Sequence, residues 1–395
     1  MNALRLRSLL LVAVVTVVTV VTVAACGDDE VTPPDAAGPD AAVPGPDATV
    51  PAADAGATDA TVCVPPPAYV EDLSACAPLA TDYQPRVDMS AADRWPVCIS
   101  DDGVYHRIMV SIATIGRVEA YEQIAALLWD GGRVPTADDF ISARVIYAVD
   151  QGLDSRVQRR HDIHYPAPTD GTTCADPGVP ELHPDRCVGP AKLLPILNDA
   201  FVRGAMGEAP RVHAARIEAA LLWFLYVSTL SEALSCTTRP QDCDSMWAYY
   251  TGGTPIDAPI GLARAVVAIG SGTHDRAHDG VLAVRCWRNL DNETGVAVDL
   301  AQRDLAREQL DHALVRGLAL LVRDRFDGLA CDAEPLAADA RYAALEVLVP
   351  LLDRAARERD PAAADRLLGQ LGPGGVAAVE VDAALATLDG LFGCP

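Results

Sequence analysis

Ala219-Ala220-Leu221-Leu222-Trp223-Phe224-Leu225-Tyr226-Val227-Ser228-Thr229-Leu230 is apolar on nearly every face of a helix. A surface helix carries one apolar stripe, whereas a helix that is apolar all round is buried. Pro210 stands where a first-turn proline belongs, so this helix is expected from Pro210 to about Leu234. Only thirteen residues separate Glu218 from Glu232. A membrane span needs about 20. The stretch therefore reads as the central helix of a protein core.

Helical periodicity extends outward on both sides. Upstream, Val118, Tyr121, Ala125, Leu128 and Trp129 share one face, with Arg117, Glu122 and Gln123 elsewhere. Thr136 reads as an N-cap with Asp139 at the capping-box position. Ile141, Val145, Ala148, Val149 and Gly152 form the next apolar stripe. Residues 63–103 and 165–190 read as Pro- and Cys-containing loops, and a helix is expected over 190–206. Downstream, helices are expected over 242–250, 259–269, 274–289, 299–326, 337–359 (kinked at Pro350) and 376–392. No useful strand alternation appears. The expected fold is all-α: an array or bundle of about eight to ten helices.

Composition narrows the function classes. Lys192 is the only lysine, and it sits in no glycine-rich turn, which excludes a P-loop. No dinucleotide fingerprint or G-x-S-x-G elbow is present. The net charge is −24. Setting aside the eight acids of residues 27–61 and the basic Arg5 and Arg7 leaves about −18. Such a surface repels phosphate backbones, so nucleic acid is not an expected partner.

The first 62 residues read as a delivery system. Met1 to Arg7 is short and basic, and Leu9 to Ala25 is apolar but for three threonines. Then comes Val23-Ala24-Ala25-Cys26. This is an export signal over 1–25. Its last four residues resemble the lipobox of bacterial lipoproteins. The resemblance implies acylation of Cys26 and stable membrane attachment through its lipid. It also implies the outer membrane, because Gly27 rather than an aspartate follows. The alternative is an uncleaved anchor, since seventeen mostly apolar residues nearly span a bilayer. Residues 26–62 hold the lipidation cysteine and a linker of Asp, Ala, Pro, Gly, Val and Thr, which has almost nothing large to bury and is expected to be disordered. The ectodomain is then 63–395.

Ten cysteines remain after Cys26, an even number that suits a disulfide framework in an oxidising compartment. Cys174–Cys187 and Cys236–Cys243 are expected as local staples, because each pair closes a short loop. Cys331–Cys394 is the pairing expected to clamp the C-terminal helices. No CxxC pair exists, so neither a zinc ribbon nor a thioredoxin-like site is expected.

Three constellations could carry chemistry. In Thr273-His274-Asp275-Arg276-Ala277-His278, two histidines at i and i+4 can reach one metal ion. The string resembles the zincin motif HExxH, with Asp275 in place of the glutamate base. The resemblance implies a zinc-dependent hydrolase; Glu293 and Asp299 are candidates for the third ligand by sequence distance alone. The segment 152–166 concentrates Arg156, Arg159 and Arg160 with His161, Asp162 and His164. Arginine forks bind small anions bidentately, and the two histidines with Asp162 are candidate metal ligands beside them. The alternative there is an internal ion-pair network. Finally, Trp247-Ala248-Tyr249-Tyr250-Thr251-Gly252-Gly253 places aromatics before a Gly-Gly stop, where they line a pocket or pack a helix end.

Together with Leu282-Ala283-Val284-Arg285-Cys286-Trp287, this last stretch is similar to a motif of the algal low-iron-inducible periplasmic, phytotransferrin-like family. The likeness spans about fifty residues, 244–293. It implies iron as the metal, although no iron ligand of that family maps to a position here. The expected function is a lipid-anchored, non-enzymatic domain that binds a small ligand or a protein partner. The alternatives are iron handling and a divergent zinc hydrolase.

Overall fold

A computed structural model describes residues 69–85, 95–149, 152–291, 297–330 and 335–395. Cys26, the linker, Cys63, Glu293 and Cys331 lie outside the described residues. So do the expectations that rest on them.

The described residues form an all-α fold with thirteen α-helices and no strand. They are α1 (Thr114–Leu128), α2 (Ala137–Val149), α3 (Leu153–Val157), α4 (Val179–Leu182), α5 (Leu194–Ala205), α6 (Pro210–Ser235), α7 (Gln241–Thr251), α8 (Leu262–Val267), α9 (Ser271–Asp291), α10 (Leu300–Leu329), α11 (Pro335–Arg359), α12 (Pro361–Gly369) and α13 (Val381–Phe392). A π-helical turn, Gly189–Leu193, leads into α5. Ten of the thirteen have nine residues or more, within the expected range. Of the other three, α8 falls within the helix expected over 259–269, α4 within the stretch 165–190 read as a loop, and α3 within the polar segment 152–166.

The helix that decides the fold is α6, and it is buried as its composition requires. Every residue from Ala219 to Ser231 is buried. It packs against α5, α7 and α11, while α10 packs against α9, α11 and α13. The two acids that bound its apolar centre each find an arginine: Glu218 pairs with Arg325 at 3.0 Å and Glu232 with Arg160 at 3.1 Å.

Local signals behave as their chemistry predicts. Thr136 and Asp139 form the reciprocal capping box: the Thr136 amide donates to the Asp139 carboxylate (2.7 Å) and the Asp139 amide to the Thr136 hydroxyl (3.3 Å). Asp299 caps α10 by accepting from the Gln302 amide. Gly252 and Gly253 both adopt left-handed backbone (φ +75° and +78°), and a Cβ on Gly252 would fall 1.9 Å from Ile260. Only glycine allows that stop.

The stripe expected on α2 is on the wrong face. Ile141, Val145 and Val149 are exposed, and Phe140, Ala143 and Tyr147 are buried instead. The larger aromatic pair decides the orientation, with Tyr147 packing on Phe201 of α5 at a ring distance of 5.3 Å. Two further boundaries shift. The helix expected over 259–269 is confined to α8, because Gly261 (φ +68°) interrupts its start. The one expected over 376–392 splits into the 3₁₀ turn Gly375–Ala378 and α13.

Four disulfides tie the described residues together. Cys174–Cys187 and Cys236–Cys243 are the two local staples expected. Cys394 bonds to Cys76, which corrects the expected Cys331–Cys394 clamp. Cys98 bonds to Cys286. The clamp therefore joins the first and last described segments of the chain, a link that loop length alone does not signal.

Candidate functional site

The C-terminal turn of α6 ends beside the first turns of α1 and α7 and the segment that follows α3. Between them lies a cavity of about 420 Å³. Arg156, Arg159 and Arg160 all line it, joined by Arg117 from α1 and Arg239 from the α6–α7 connection. Among the described residues, Glu232 and Asp242 are the only acids in the lining. Five guanidinium groups thus face two carboxylates, in a chain of net charge −24.

The arginines differ in how firmly they are held. Arg160 is buried; both its terminal nitrogens donate to Glu232 Oε1 at 3.1 Å, and one also donates to the Tyr249 hydroxyl at 3.2 Å. It lies over the Phe224 and Tyr249 rings, 5.7 and 5.2 Å from their centroids, as a cation–π pair. Its Nε has no partner. Arg117 is also buried and donates to the Thr114 hydroxyl at 3.1 Å, which in turn donates to Ser245. Arg159 is tied to the Ser155 carbonyl at 2.7 Å, and Arg239 pairs with Asp242 at 3.3 Å. Arg156, half-buried, pairs with no carboxylate among the described residues. Ser231 and Ser235, one helical turn apart, add hydroxyls to the same wall.

His161 lines this cavity too. Burial, then the nearby Arg186 and Arg160, pull its pKa down to about 4, so it is a neutral donor–acceptor at pH 7. The positive ends of two helix dipoles, from α1 and α7, border the same space. Pre-oriented arginines, hydroxyls and helix starts are the donor set that holds a small polyanion.

The other sequence candidates do not gather here. His164 lies between two carboxylates: Nδ1 contacts Asp162 at 2.7 Å and Nε2 contacts Asp311 at 2.7 Å. Carboxylates only accept, so both ring nitrogens carry protons and neither is a metal ligand. In place of the expected His161–Asp162–His164 metal cluster, Asp162 and His164 form an ion-pair network with Asp311, and His161 faces the arginine cavity.

The HDxxH string is corrected in the same way. His274 is buried with both nitrogens engaged. Nε2 lies 3.0 Å from the Ile256 carbonyl and must donate to it, so Nδ1 accepts from the Tyr250 hydroxyl at 2.9 Å. Asp275 is exposed on the outer side of α9. His278 is buried and faces a different cavity. Asp299 is occupied as the cap of α10. The zincin-like centre does not form, because one histidine is a satisfied core residue and the acid points away. Among the described residues, one group of three metal-type donors comes together, Cys98, Asp101 and Cys286, and its two sulfurs are bonded to each other.

Sequence reasoning found three of the five pocket arginines and missed Arg117 and Arg239. The periodicity of α1 places Arg117 off its apolar stripe and gives no sign that it faces a cavity. The only available signal was the run Ser231-Glu232-Ser235 at the end of an otherwise apolar helix, which marks where α6 leaves the core. No family model, curated protein or solved structure matches this chain.

Proposed function

We propose that the chain is an exported lipoprotein, held to the outer membrane by a lipid on Cys26, whose helical domain binds a small polyanion in the arginine cavity. The observation that carries the ligand reading is the concentration of five arginines around one cavity of an acidic protein. Net negative charge elsewhere discourages large anions such as nucleic acid, while the cavity accepts a small one. A phosphate or a compact di- or tricarboxylate fits this donor set. The disulfides suit the oxidising compartment that export implies.

The ligand reading is tested by calorimetric titration of the full chain with inorganic phosphate and with citrate at low salt. One of the two is expected to bind, and Arg156→Ala with Arg159→Ala should weaken it at least about ten-fold. Both side chains are outside the core, so the melting temperature should hold. Absence of binding for both anions, or unchanged affinity in the variant, would sink the reading. Anchoring is tested separately with a clickable fatty acid, which should label the wild type and not Cys26→Ser.

A further inference from the structure

A second cavity, of about 280 Å³, lies between residues 103–107, the turn after α7, and α9. It shares no lining residue with the arginine cavity. Tyr105 and Trp247 form one wall, stacked at 4.8 Å with an interplanar angle of 3°. Val104 and Ile256 add apolar surface. His278 reaches it from α9 and is only 3% exposed.

Two polar groups here lack partners. No hydrogen bond or ion pair among the described residues engages the His278 imidazole or the Trp247 indole N–H, although both side chains are more than nine-tenths buried. Neither group is sealed in the core with the unpaired buried atoms, so these polar atoms are open to the cavity, where a ligand can pair them. His274, one turn away on the same helix, shows the usual case, with both nitrogens used. Among the described residues no acid lines the cavity, and its one formal charge is the exposed Arg107.

The wall is also built to hold its shape. Asp244, fully buried, accepts from the Tyr105 hydroxyl (3.0 Å), the Ile108 amide (3.0 Å) and the Met109 amide (2.7 Å). This fixes the loop that carries Tyr105 before any ligand arrives, and it commits the Tyr105 hydroxyl elsewhere. A pre-ordered site loses less entropy on binding.

We propose that this cavity is a second small-molecule site, which takes an uncharged, ring-sized ligand bearing one hydroxyl, of the phenol class. The ring packs against the aromatic wall. The hydroxyl donates to the unprotonated nitrogen of His278 and accepts from the Trp247 N–H. A neutral imidazole offers one acceptor and one donor, and a hydroxyl is the smallest group that matches such a pairing. Nothing in this proposal depends on the arginine cavity or its ligand.

Fluorine NMR on the full chain tests it, with 4-fluorophenol, 4-fluorotoluene and 4-fluorobenzoate as probes. 4-Fluorophenol should bind at least about ten-fold more tightly than 4-fluorotoluene, the factor expected for even one of the two hydrogen bonds. In His278→Leu, where only the Trp247 N–H remains to pair the hydroxyl, the preference should fall several-fold. His278→Gln, which keeps a donor and an acceptor, should retain part of the preference and guards against a variant that fails to fold. The proposal is overturned if no probe binds at millimolar concentration, or if phenol and toluene bind the wild type equally. Tighter binding of the benzoate, or a preference undiminished in His278→Leu, would overturn it too.

Discussion

His164 shows how a residue picked out for chemistry can instead hold the molecule together. Its imidazole bridges Asp162, in its own loop, to Asp311 on α10, whose other oxygen accepts from the Tyr226 hydroxyl of α6 at 2.8 Å. Arg354 of α11 lies 3.5 Å from the same Asp311 carboxylate. Burial works against the imidazolium, but the two carboxylate hydrogen bonds outweigh it and raise the His164 pKa to about 9. The folded pKa exceeds the unfolded value of about 6.5, so the stabilisation is complete below pH 6.5 and is lost as pH rises through 9. His164→Gln should therefore destabilise the protein by about 2–3 kcal/mol near pH 6 and by little near pH 10. Urea unfolding of the two proteins at both pH values checks this. An equal deficit at both would mean that packing, rather than charge, is what His164 supplies.

At the scale of elements, the close pair α9 and α10 depends on a position without a side chain. A Cβ on Gly280 would stand 2.6 Å from the Leu310 Cα and 2.9 Å from its nitrogen, both backbone atoms that cannot move aside cheaply. Gly280→Ala should cost about 1–3 kcal/mol despite alanine's better helix propensity. Gly390, inside α13, has nothing within 4 Å of the same added atom. Gly390→Ala should instead stabilise by up to about 1 kcal/mol. Opposite shifts in melting temperature are the expected result, and a shared sign would refute the packing argument. The contrast also explains which elements were legible in the sequence. α6 could be read because its apolar run has no polar face to misassign, and the start of α2 because a capping box is a local device. The buried face of α2 could not, because two apolar stripes compete on it and the choice is made by Phe201 on a distant element. Three pocket arginines were visible as a local cluster, whereas Arg117 and Arg239 joined them only through the folding of α1 and α7 around the end of α6.

For the whole molecule, the covalent framework is what local spacing conceals. Cys76–Cys394 spans 318 residues and Cys98–Cys286 spans 188, so the first encloses the second. Cys26 aside, the four bonds leave Cys63 and Cys331, both outside the described residues; the oxidising compartment proposed above predicts by parity that they bond to each other. Peptide mapping without reduction should recover that linked pair; two free thiols would refute it. The outermost bond has the larger consequence. Cross-linking distant residues stabilises a protein mainly by restricting its unfolded chain, and the effect grows slowly with loop length. Because Cys98–Cys286 already constrains most of the enclosed chain, opening Cys76–Cys394 releases less than its full length suggests. The Cys76→Ser, Cys394→Ser double variant should lose about 2–4 kcal/mol in urea unfolding. The loss should appear mainly as entropy, with the fold intact by circular dichroism, because the bond joins surfaces that other contacts also hold. Arg276 donates to the Cys76 carbonyl at 3.1 Å, and the Glu71 carboxylate accepts from the Thr273 amide at 3.0 Å near the start of α9. If the double variant instead loses helix content, those contacts are too weak to dock the N-terminal segment, and the bond itself is what places it against α9.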